Sequence, residues 1–238
     1  MQNTETCVVG QPGPLVEIQC EPLTEFDRTD LESVRRAFAP AVACSFQQAW
    51  LPETEADFSP GEVRLGWRGN SLLVFAELTD LDIHNPAIGL NQRAWELGDV
   101  FEMFFKPTAA ERYVEFQVTP QNQRLQLSHV HARHAEWASY REAFAKSMLW
   151  DEAFHSQTWV EAEANRWLVY AEIPARTIGD ARLSLVNSRW CFSFGRYDYT
   201  RGFTEPVISS TSPHTKLDFH RQHEWGTMTF KNSLAIVN

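Results

Sequence analysis

The sequence predicts an all-β fold: an antiparallel two-sheet β-sandwich, of jelly-roll or immunoglobulin-like type, with one helical insertion near 134–148. Three observations predict it. Short apolar runs with period-two alternation recur along the chain, about ten of them, each bounded by turn residues. Helical periodicity is confined to two short stretches. The strand–helix–strand alternation that a parallel sheet requires is missing. With no internal repeat, low-complexity tract or linker, residues 1–238 read as a single domain whose first 22 residues form an N-terminal arm.

Taken in order, the Gly/Pro-punctuated start offers one strand, Leu15–Ile18. Asp30 caps a short helix, Leu31–Phe38, and Pro40 closes it. Ala41–Gln48 reads as a strand, followed by an acidic loop from Pro52 to Gly61. Val63–Trp67 and Leu72–Leu78 flank Arg68-Gly69-Asn70 and make a β-hairpin. A long loop, Ile83–Gly98, leads to Val100–Phe105, which the KPTAAER turn joins to Tyr113–Val118. Trp137, Tyr140, Phe144 and Met148 then fall at helical spacing. Strands resume at His155–Ala162, Trp167–Ile173 and Trp190–Tyr197. A Ser/Thr/Pro/Gly-rich loop spans Asp198–Leu217, and Gly226–Phe230 is the closing strand.

Composition narrows the function. A net charge of −10, from 21 basic and 31 acidic residues, argues against a nucleic-acid face, which needs clustered Lys and Arg. No apolar run reaches the ~20 residues of a membrane span. Met1–Glu25 has no signal-peptide pattern, so the chain as written is expected in the cytoplasm, or exported if a signal has been removed. The four cysteines lack zinc-type spacing and are expected to be reduced, a Cys7–Cys20 bridge being the alternative in an oxidising compartment. Nine Trp and sixteen Phe exceed what a core needs, so some are expected at a surface.

The chemistry centres on WELGDVFEMFFKP, residues 95–107. Alternation puts Phe101, Met103 and Phe105 on one face of its strand and Val100, Glu102 and Phe104 on the other. Glu102 is costly to bury alone and needs a partner or a wet cleft. On the next strand, Glu115 and Gln117 share a face with Tyr113, beside that of Glu102.

Three segments together resemble the family 9 carbohydrate-binding modules and the wider DOMON-like sandwich group. They are LLVFAELTDLDI with its Asp-rich turn, WELGDVFEMFFKP followed by YVEFQVTP, and WCFSFGRYDYTRG…SSTSP…DFHRQHEWGTMTF. The resemblance covers roughly residues 40–230 and implies non-catalytic binding of a mono- or oligosaccharide between aromatic rings, beside a carboxylate. Carried over, Trp95 is the first stacking ring and Phe219 aligns with the second. Glu102, Gln117 and Arg196 are the polar contacts, with a Glu102–Arg196 ion pair as the structural alternative. No cofactor is implied beyond structural calcium, for which Asp80 and Asp82 crowd oxygens into one turn. Two other functions compete: a glycoside-active enzyme using Glu102 and Glu115, and a DOMON-like haem or electron-transfer domain, whose axial ligation would need a Met/His pair. Met103, however, shares the face of Phe101 and Phe105 and suits a core. His220 and His223 are expected to be solvated or hydrogen-bonded rather than metal ligands.

Overall fold

The computed structural model describes residues 13–129, 142, 144–179 and 184–231. Twelve strands are hydrogen-bonded along one continuous path, β7-β6-β5-β10-β12-β1-β3-β4-β9-β8, with β11 paired to β10 and β2 to β3. Their ranges are β1 Glu17–Pro22, β2 Ala43–Ser45, β3 Gly61–Arg68, β4 Ser71–Thr79, β5 Val100–Pro107, β6 Tyr113–Val118, β7 Arg124–His129, β8 His155–Glu161, β9 Arg166–Pro174, β10 Arg189–Asp198, β11 Val207–Ser210 and β12 Gly226–Phe230. Short helices accompany them, among them α1 Leu31–Phe38 and α2 Ala175–Ile178. Among the described residues no helix is long and apolar enough to cross a membrane.

The all-β class stands, but the sheet is mixed and curled rather than a pair of separate antiparallel sheets. The reason is β1. Its residues Glu17–Cys20 pair in parallel with β12, and Glu21 and Pro22 pair in parallel with β3. The strand expected at Leu15–Ile18 within the arm thus falls at Glu17–Pro22 and ties the two halves of the path together, and residues 1–12 lie outside the described residues. Of the predicted helical insertion, residues 142 and 144–147 are helical, and residues 130–141 and 143 lie outside the described residues, as does Cys7.

Alternation fixes what faces inward. Phe101, Met103 and Phe105 of β5 share one core cluster with Val114, Phe116 and Val118 of β6, and with Leu72, Val74 and Trp167 from the other half of the path. Met103 thus belongs to an apolar interior. The hairpin β3–β4 closes at Gly69, whose φ of +60° is the left-handed conformation that a tight turn needs. Asp30 caps α1, accepting the Glu32 N–H at 3.3 Å, and Val34 and Phe38 are the helix's buried residues.

Candidate functional site: an acidic and aromatic face on the outer side of the sheet

The outer face of β5, β6 and β10 carries the polar residues that the core face excludes. Register sets their neighbours: Glu102 lies opposite Gln117 on β6 and opposite Gly195 on β10. Gln117 Nε2 donates to Glu102 Oε1 at 2.5 Å and to Glu115 Oε1 at 2.8 Å, so one amide bridges both carboxylates. His129 Nε2 lies 2.9 Å from Glu115 Oε2. Its ring stacks on Tyr113 at 4.6 Å, and the Tyr113 hydroxyl is 2.8 Å from His220 Nδ1.

The two carboxylates are pushed apart. Burial, and then the neighbouring Glu115, hold Glu102 well above the ordinary carboxylate range. Burial would raise Glu115 too, but the hydrogen bond and charge of His129, with His220 and Gln117, outweigh it and keep that group low. Of the two, Glu102 is therefore the one that holds a proton more readily. An acid–base pair needs such a split. A glycoside-cleaving pair, however, must flank the scissile bond with room for a sugar and its nucleophile. Here both carboxylates accept from one amide nitrogen, so the Gln117 side chain occupies the place between them.

Gly195 makes the close approach around Glu102. A Cβ there would lie 2.6 Å from Phe219 and 3.1 Å from Glu102 Oε2. Phe219 accordingly sits against the sheet, 6% exposed, packed with Phe104, Tyr113 and Trp225. Its own carbonyl accepts from Trp225 Nε1 at 2.7 Å, and the loop carrying it is held through Glu224, which accepts from Arg221, Thr215 and His214. Those bonds, Arg221's first, keep Glu224 well below the usual range against its burial. Phe219 is therefore a packed wall of the face rather than an open platform.

Two half-buried tryptophans border this face. Trp95, on a 3-10 turn over Ala94–Glu96, packs on Ala87, Ala94 and Val100 and meets Phe144 edge-on at 5.6 Å. The Arg93 guanidinium lies 5.1 Å from its ring centre. Trp50 packs on the Phe104–Phe219 cluster. It is carried by the 48–51 turn, in which Leu51 N–H donates to Gln48 O. The Gln48 side chain bonds Ile208 O and Glu55, and Gln47 bridges Ser210, so the turn is fastened to β11. Tyr197 packs on both clusters and joins them. Sequence reasoning passed over Trp50; a lone tryptophan between a strand and an acidic loop was the available signal.

Arg196 corrects the reading made from sequence. It pairs with Phe101 and points to the core face, opposite to Glu102, so no ion pair joins them. It is fully buried, 3.0 Å from Asp198 Oδ2 and 3.6 Å from Asp80 Oδ2. The oxygens of Asp80, Asp99 and Asp198 lie within 4.8 Å of one another. Asp82 turns elsewhere, to Arg201. Calcium takes six to eight oxygen ligands, and this centre does not fit it. Asp80 already accepts from Asp82 N–H and Trp167 Nε1, Asp99 from His84 and Tyr199 N–H, and a guanidinium lies within reach of Asp80 and Asp198.

No protein-family profile and no curated protein matches the sequence. Solved structures do match in fold. A candidate carbohydrate-binding protein from Bacteroides uniformis aligns with a TM-score of 0.69 at 15% identity, over 92% of this chain and 100% of that one. More particularly, the chain shares the fold of family 9 carbohydrate-binding modules. One from Caldicellulosiruptor kristjanssonii in complex with glucose aligns with a TM-score of 0.59 at 12% identity, over 93% of this chain and 99% of that one. A module of the same family and organism in complex with cellotriose gives 0.56 at 13%, over 94% and 97%.

Proposed function

We propose that this chain is a non-catalytic carbohydrate-binding module that holds a mono- or oligosaccharide on the outer face of β5, β6 and β10. The observation that carries this reading is the pair of half-buried tryptophans, Trp50 and Trp95, on aromatic clusters joined by Tyr197, beside the Glu102–Gln117–Glu115 strip. The C–H faces of a pyranose are flat and apolar and are buried by such rings, while carboxylates and amides fix the hydroxyls. The fold shared with modules solved with glucose and cellotriose supports the same reading. Trp95 is then one stacking ring, and Trp50 takes the second place, to which the family resemblance had aligned Phe219. Glu102 and Gln117 supply the polar contacts.

Calorimetry with glucose and cellotriose tests it. Trp95→Ala and Trp50→Ala should each weaken binding by about 10-fold or more, as loss of an aromatic anchor does. Absence of binding to both sugars, or wild-type affinity in both variants, sinks the assignment.

A further inference from the structure

Burying three carboxylates in one place demands a counter-charge and a cross-link. Asp80, Asp99 and Asp198 are at most 8% exposed, and Arg196 is fully buried beside them. Besides its contacts to Asp198 and Asp80, the guanidinium donates from Nη1 to Ser59 O at 3.2 Å and from Nη2 to Thr79 O at 2.5 Å. It therefore pins the loop before β3 and the end of β4 as well. A divalent cation among carboxylates neutralises and cross-links in the same way. Arg196 does so from a backbone position already fixed by the β5–β10 ladder.

Asp99 carries the effect outward. Its two oxygens accept N–H groups from His84 at 2.5 Å and Tyr199 at 2.8 Å, and its backbone carbonyl accepts from Asn85 Nδ2 at 3.1 Å. The Tyr199 hydroxyl donates to the Trp95 carbonyl at 2.8 Å. Asp99, whose carboxylate lies within 4.8 Å of those of Asp80 and Asp198, thus leads by hydrogen bonds through Tyr199 to the backbone of Trp95.

We propose that Arg196 is the internal cation of this fold, standing where a metal ion would otherwise be needed, and that its joint with Asp80 and Asp198, against which Asp99 is set, positions the loop 83–98 that presents Trp95. The positioning half rests on the sugar-binding reading; the internal-cation half does not. Arg196 touches no ligand and is a positioning residue. One guanidinium does not balance three ionised carboxylates, so the centre also retains a proton. Burial, then Asp80, raises Asp99 to about 8 and makes it the natural holder.

The test uses the full chain. Thermal unfolding is compared with and without a chelator and with added calcium, and amide exchange is followed by mass spectrometry in the wild type, Arg196→Gln and Arg196→Gln/Asp198→Asn. The wild-type melting temperature should ignore both chelator and calcium. In Arg196→Gln, exchange across 83–98 should quicken by about 10-fold or more while the β3–β4 hairpin stays protected, glucose binding should weaken, and the double variant should recover part of both. Arg196→Lys, which keeps the charge but loses the planar fork, serves if Arg196→Gln does not fold, and should show the same local quickening. A melting temperature moved by chelator or calcium overturns the internal cation. Exchange that is unchanged in 83–98, or that rises equally everywhere, overturns the positioning role. Should the wild type bind neither glucose nor cellotriose while the exchange pattern holds, the sugar reading falls and the joint remains.

Discussion

Gly195 and Arg196 are neighbours in sequence and serve two acidic centres on opposite faces of the same strands. On the outer face, Glu102 and Glu115 are reconciled by a neutral amide and by unequal protonation, with His129 at the edge. On the core face, Asp80, Asp99 and Asp198 gather near a permanent cation. The difference lies in what each is tied to. Among the described residues, the outer centre is held by side-chain hydrogen bonds alone, through Gln117 and His129. The inner centre is built around a guanidinium that also ties two backbone carbonyls, those of Ser59 and Thr79, as a structural joint requires.

Removing that charge should produce the largest effect. Arg196→Met leaves buried carboxylates without their counter-ion, and a loss of about 3–5 kcal/mol in urea unfolding is expected. A loss below about 1 kcal/mol would make the two centres energetically alike.

The second test is pH. Burial leads in raising Asp99 to about 8, and Asp198, where Arg196 opposes it, to about 6. The folded chain therefore keeps protons that the unfolded chain, with carboxylates near 4, has released. This contribution to stability is complete below about pH 4 and is lost as pH rises through 6 and then 8. Glu115 and Glu224, held low, act in the opposite sense on the acid side. The urea midpoint should fall between about pH 5 and 9, and Asp99→Asn, which cannot titrate, should flatten the upper part. A midpoint that rises over this range contradicts the assignment.

The smallest effect belongs to Glu102→Gln. Glutamine has the shape of the protonated acid, so stability at neutral pH should change by less than about 1 kcal/mol, while glucose affinity drops. A loss as large as that of Arg196→Met would mean that Glu102 is ionised and structurally paired.

Much of the fold was legible because alternation reports faces. Tyr113–Val118 and Gly226–Phe230 carry the predicted bounds, and Phe101, Met103 and Phe105 lie in the core as read. Other parts depend on partners distant in sequence. β7 was passed over: its buried Gln126 breaks the apolar pattern because it serves the backbone of Leu149, Asp151 and Ala153. β11 lay inside a predicted loop, where Ser209 and Ser210 gave no apolar signal. The error at Arg196 was avoidable. Trp190, Phe192 and Phe194 are core residues, and the same period of two places Arg196 with them rather than with Glu102. Analogy displaced a pattern already in the strand. Trp50 and the Asp99–Tyr199–Trp95 contacts arise only once loops from separate places meet.

The strand β1 has a consequence for assembly. The first and last described strands, β1 and β12, lie side by side in the middle of the strand order, and β3 completes the join. The seam of the sheet is therefore closed by segments about as far apart in sequence as this chain offers. Long-range pairing of this kind slows folding. Until β1 is in place, β12 and β3 present open edges to any passing strand.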